Sequence, residues 1–139
     1  MDQVRVSNKY KWLPKSKRNS RFGGKSSSSD ARYAKYWIVN DNDSIYFVND
    51  SDDIINKLIY SSSGMATIDD EDVAAVGVKE KSYDNVLSGE AVKISEYDVI
   101  YDSDFVLQYE VTTIIKNSTT TYRSRPTKGG IVEDVLAWK

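Results

Sequence analysis

Residues 104–116 read DFVLQYEVTTIIK, and this stretch decides the fold. Phe105, Leu107, Tyr109, Val111 and Ile115 fall on one face, and Gln108, Glu110, Thr112 and Lys116 on the other. Such period-2 alternation marks a strand with one side on a core and the other in water. Working outward, 91–101 (AVKISEYDVIY) and 119–125 (TTTYRSR) have the same character, with Asp102-Ser103 and Asn117-Ser118 as turns between them. The spacing predicts a three-stranded antiparallel meander, with a bulge near Ser95-Glu96 in its first strand.

On the N-terminal side, residues 33–40 (YAKYWIVN) and 44–49 (SIYFVN) are aromatic and β-branched, separated by Asp41-Asn42-Asp43. Asn and Asp accept turn dihedrals, so this is a predicted β-hairpin. Ser51 then reads as a helix cap with Asp52 and Asp53 in the first turn. Ile54, Ile55, Leu58 and Ile59 follow at helical spacing, up to a break at 60–64 (YSSSG). Val73 to Lys79 reads as a short strand, and 80–90 as a loop with one helical turn at YDNVL. After the turn at 126–130 (PTKGG), Ile131, Val132, Val135, Leu136 and Trp138 predict a closing helix on the sheet. The expected fold is therefore α+β: a small antiparallel sheet (hairpin plus three-stranded meander) with one or two helices.

The first residues behave differently. Val4 and Val6 alternate as in a short strand, but from Lys9 to Ser29 no periodicity survives. Pro14, Gly23-Gly24 and the run Ser26 to Ser29 interrupt it, and such a segment buries too little to offset its ordering entropy. Residues 1–35 hold ten basic and two acidic side chains, a net +8. The other 104 hold nine basic and nineteen acidic, a net −10, which leaves −2 overall. The expected organisation is a flexible basic arm, 1–32, tethered to an acidic α+β domain, 33–139.

At 139 residues one domain with its own core is the natural reading. There is no cysteine and no histidine. Disulfides, thiolate or imidazole zinc sites, cysteine nucleophiles and Ser-His-Asp triads are all excluded within one chain. No run of 18 apolar residues suggests a membrane span, and no apolar N-terminal segment suggests a secretory signal, so a cytoplasmic location is expected.

Gly23-Gly24-Lys25-Ser26 lacks the first glycine of a phosphate loop, since position 19 is Asn. Asp41-Asn42-Asp43-Ser44 and the acidic run Asp69 to Asp72 hint at a hard cation but lack the calcium-loop spacing. They read better as turns, with no cofactor. Acids are so frequent that their proximity says little about catalysis, and no enzyme is expected.

The arm carries the functional signal. Lys9, Lys11, Lys15, Lys17, Arg18, Arg21 and Lys25 are interleaved with Tyr10, Trp12, Phe22 and Tyr33. Single-stranded nucleic acid is held by this mixture of phosphate neutralisation and base stacking. Arg123 and Arg125, with Lys128, form a second small basic cluster at the end of the sheet. The acidic body presents either a charge mimic to a basic partner or a solubilising surface.

In this layout, a Lys/Arg/aromatic segment over 9–35 on an acidic body, the chain resembles small phage and mobile-element proteins such as anti-CRISPR inhibitors of the RNA-guided nuclease Cas9. The resemblance implies a non-enzymatic inhibitor acting in an infected or host bacterial cell. It would engage a nucleoprotein (Cas9 with guide RNA), through Lys9, Lys11, Trp12, Lys15, Lys17, Arg18 and Arg21. The alternative is a structural component of a virion or other assembly, with the arm threading into a neighbouring subunit.

Overall fold

Strand pairing organises the described residues. The computed structural model describes residues 3–14, 31–66, 81–96, 105–128 and 132–139. They form ten strands: β1 (Arg5–Ser7), β2 (Ala34–Asp41), β3 (Ser44–Asn49), β4 (Ile55–Ala66), β5 (Lys81–Val86), β6 (Glu90–Glu96), β7 (Phe105–Ile115), β8 (Ser118–Arg123), β9 (Thr127–Lys128) and β10 (Glu133–Trp138). One antiparallel sheet has the order β1-β6-β3-β2-β10. The second has the order β5-β4-β7-β8, with β9 also paired to β7.

The inner faces of the two sheets share one core. Tyr36, Ile38, Ile45, Phe47, Val92 and Ile94 come from the first sheet, and Ile55, Leu58, Tyr60, Tyr83, Val86, Tyr109 and Val111 from the second. The described residues form an all-β sandwich, not the expected α+β fold. On β7 the alternation holds, since Tyr109, Val111 and Thr113 are buried while Gln108, Glu110 and Thr112 are partly exposed. The hairpin also forms as expected. Asn42 and Asp43 have φ of 51° and 67°, a two-residue turn whose twist suits the flanking strands.

Both expected helices are strands. Ser51 does make its local cap bond, the Asp53 amide donating to Ser51 Oγ at 3.2 Å. The chain beyond it nevertheless extends as β4, with Leu58 and Tyr60 inward and Lys57 exposed. Two forces override the helical spacing: the β-branched and aromatic content of 54–60, and a ladder between β4 and β7 that runs from Lys57↔Ile114 to Ala66↔Phe105. The terminal segment is too short to hold a helix by itself, and it pairs instead with the edge of β2, from Glu133↔Val39 to Trp138↔Ala34. The helical turn expected at YDNVL is strand β5, paired with β4.

The three-stranded meander is corrected too. β7 and β8 form its second hairpin, but β6 lies in the other sheet, between β1 and β3. The bulge in β6 falls at Ile94, one residue from its expected place: Ser95 pairs with Ile45 and Lys93 with Tyr46. The expected strand at 73–79 and the Asp69–Asp72 run lie outside the described residues.

A single buried amide sets the crossover between the sheets. Asn49 is fully buried, and its Nδ2 donates to the carbonyls of Asp53, Val86 and Leu87 at 2.9–3.1 Å. Its Oδ1 accepts from the Ser51 amide and hydroxyl. Buried polar atoms need such partners, and here they clamp the β3–β4 connection to the β5–β6 turn. Gly89, in that turn, has φ +81°, and its amide donates to the Asn49 carbonyl at 2.7 Å.

Residues 3–14 are part of the sandwich and not a disordered arm. β1 pairs with β6, Arg5 opposite Val92. The chain then crosses the outer face of the first sheet from the β1 edge toward β10. The Tyr10 ring packs at a tilt on Tyr46, and Trp12 packs edge-on against Trp37 and Trp138 with ring centroids 5.2 and 5.5 Å apart. This second apolar cluster includes Ala34, Val48 and Ala91, so the first sheet is covered on both faces. Residues 15–30, the remainder of the expected arm, lie outside the described residues.

Candidate nucleic-acid interface

The site forms where the ends of both sheets meet. After β8, Ser124 turns inward, its hydroxyl accepting from the Tyr109 amide at 2.8 Å and its own amide donating to the Tyr109 carbonyl. Locking Ser124 in place puts Arg123 and Arg125 on the opposite side of the chain. Arg123 Nε donates to Glu110 Oε2 at 2.8 Å, its direct cross-strand partner. Arg125 donates through its amide and its Nε to the two carboxylate oxygens of Asp134 on β10, at 2.8 and 3.0 Å. The Asp134 side chain is 8% exposed and that of Arg125 is 81% exposed, so a buried acid aims an exposed guanidinium outward.

The floor is aromatic. Trp12 and Trp138 line the same cleft, of about 360 Å³, with Arg123, Arg125, Glu133 and Asp134. Arg32 lies over the Trp138 ring, its guanidinium carbon 4.0 Å from the centroid, a cation–π contact. Trp12 Nε1 donates to the Arg32 carbonyl at 3.1 Å, and the Trp12 amide donates to Asp50 Oδ2 at 2.9 Å. Arg32 is thus held against Trp12 and Trp138 of the cleft.

No family model, curated protein or solved structure matches this chain.

Of the residues expected to bind, the cleft brings together Trp12, Arg123 and Arg125. Trp12 is 6% exposed and acts as the anchor of the cluster. Tyr10 sits elsewhere on the outer face, its hydroxyl donating to Asp41. Burial first, then that hydrogen bond and the Asp41 charge, raise the Tyr10 hydroxyl well above the ordinary tyrosine range. Conversely the bond from Tyr10, and after it Lys9, lowers Asp41. Lys9 lies 3.4 Å from Asp41, and Lys11 is exposed. Asp41, raised as a cation ligand from its sequence, is therefore occupied by Tyr10 and Lys9. Lys15, Lys17, Arg18, Arg21 and Lys25 lie outside the described residues.

Glu133, Asp134 and Trp138 line the cleft and Arg32 lies over the Trp138 ring, and none of these four was legible as a site residue. Arg32 counted only toward the charge of the arm, and Trp138 toward a helix face. Arg5, another cation of the arm, is structural: it donates to Glu90 at 2.9 Å and to the carbonyls of Asp84 and Asn85. Charge counts from sequence cannot separate a cation that clamps strands from one that faces outward.

Proposed function

We propose that this protein is a non-enzymatic binding protein that takes single-stranded nucleic acid, presented within a nucleoprotein, at the cleft between β8 and β10. The observation that carries this reading is the closure of Trp12 onto Arg32. It holds Arg32 against Trp12 and Trp138, which line the cleft with Arg123 and Arg125, and the sequence between Pro14 and Ala31 carries five cations and one acid. Guanidinium groups at the rim would neutralise phosphates, and the indole of Trp138 with Arg32 offers a stacking platform. Among RNA-guided nucleases, inhibition through such contacts is the activity that the anti-CRISPR resemblance implies. The reading of an arm that threads into a neighbour is narrowed, because β1 and Trp12 are already committed to their own sheet.

The test is fluorescence anisotropy with single-stranded RNA and with duplex DNA, using the full chain. Deleting residues 1–30 would remove β1 and Trp12 together with the cations, so charge substitution is the cleaner perturbation. Arg123→Ala with Arg125→Ala, and separately Gln at Lys15, Lys17, Arg18, Arg21 and Lys25, should each weaken RNA binding. Each lost phosphate contact should also flatten the log–log salt dependence by about 0.7 for a single strand. Absence of RNA binding by the unsubstituted chain near 50 mM salt would refute the proposal.

A further inference from the structure

At the C-terminal end of β7 a second cavity, of about 300 Å³, opens between β2, β7 and β8 and is lined by Lys35, Tyr36, Asp53, Thr113, Lys116 and Tyr122 among others. Tyr36 is 1% exposed, and its hydroxyl makes no hydrogen bond of acceptable geometry among the described residues, although it lies beside Ser51. A buried hydroxyl left unpaired is costly and calls for an explanation. Its ring meets Tyr122 edge-on at 5.6 Å. Asp53 and Tyr122 both act on it electrostatically, and burial raises it above the ordinary tyrosine range, so at neutral pH it remains a donor.

The neighbours are chemically selective. Thr113 is 3% exposed, a hydroxyl-bearing residue on a face of β7 otherwise apolar. Lys116 occupies the β7–β8 turn with φ +54°, a conformation a lysine seldom adopts, held by its amide donating to Asn56 Oδ1 at 2.7 Å. Hydroxyls and two ammonium groups make the lining rich in donors, with Asp53 as its one carboxylate. Such a set matches a ligand with many oxygens and one negative charge: the ammonium groups take the anion, the hydroxyls bond ring oxygens, and Asp53 accepts from a ligand hydroxyl.

We infer that this cavity is a binding site for a small anionic sugar, a monosaccharide-sized polyol bearing one carboxylate or phosphate, with Tyr36, Thr113 and Lys116 as its principal contacts. The site is separate from the cleft at β10, and its fate does not depend on nucleic-acid binding.

The test is a ¹H–¹⁵N correlation titration of the full chain with four probes: glucuronate, glucose 6-phosphate, glucose and inorganic phosphate. Saturable shifts at the amides of Tyr36, Thr113 and Lys116 are expected with glucuronate or glucose 6-phosphate, and which of the two binds more tightly identifies the anionic group. Glucose and phosphate should each bind at least tenfold more weakly. Tyr36→Phe should weaken the anionic sugar about tenfold while the unfolding midpoint of the free protein stays the same or rises. Lys116→Asn, which keeps a residue tolerant of positive φ but removes the ammonium, should do likewise. No saturable shift with either anionic sugar overturns the inference, as does an equal response to glucose or to phosphate alone. Unchanged affinity in Tyr36→Phe, or a fall in its unfolding midpoint alongside the loss of binding, overturns it as well.

Discussion

Truncating Trp12 to Ala tests whether the N-terminal segment belongs to the fold. The side chain is 6% exposed, so nearly all of its surface is withdrawn from water. A buried Trp removes about 200 Å², worth about 5 kcal/mol at ~25 cal/mol per Å². A compact unfolded chain reduces that by roughly 10–40%. Two edge-on contacts, to Trp37 and Trp138, and the bond to the Arg32 carbonyl are lost with it. The expected cost is about 4 kcal/mol, within the range for large aromatic truncations, or a fall in Tm of roughly 10–20 °C for a chain of this size. Urea unfolding followed by far-UV circular dichroism measures it, since removing Trp12 changes the fluorescence signal itself. A free arm would make the substitution nearly silent. A cost below about 1 kcal/mol would therefore refute the packing of residues 8–14 described above.

Three further outcomes are expected. Asp134→Ala removes the buried acceptor of two bonds from Arg125 and should destabilise the fold by about 2 kcal/mol in urea unfolding, with weaker RNA binding where the cleft is used. Gly89→Ala places a methyl 2.7 Å from Asn8 Oδ1 at φ +81° and should cost about 1–3 kcal/mol. A double-mutant cycle with Asn8→Gly should recover the steric part of that cost and leave the backbone part. Tyr60, 4% exposed, is pushed up to about 12 by burial first and then by Tyr83, and Tyr10 and Tyr36 are raised as well. Because the folded values lie above the unfolded one, their contribution is complete below about pH 10 and is lost as pH rises beyond it. Urea midpoints should therefore fall between pH 9.5 and 11.5, less steeply in Tyr60→Phe, and parallel slopes in the two proteins would count against this account.

The alternation in 104–116 and the Asn42-Asp43 turn were legible because strand periodicity and turn dihedrals are local properties. So were the absence of cysteine and histidine chemistry and the concentration of positive charge before residue 36. The helices expected after Ser51 and at the C-terminus failed for one reason. Apolar spacing over six to ten residues fits a helix or a strand, and only the available partners, the length of β7 and the open edge of β2, decide between them. Sheet membership is likewise a tertiary matter: nothing in 91–101 shows that β6 pairs with β3 and β1 while β7 pairs with β4. Composition placed Tyr10 and Trp12 in a binding arm, yet their rings cover a sheet face whose exposed apolar side chains exist only once the sheet has formed. The cleft depends on Asp134 reaching Arg125 and on Trp12 reaching Arg32. Charge and aromatic content were therefore determined by the sequence alone, whereas folding decided which of those groups became structure and which face outward, because burial is a property of the assembled sheets.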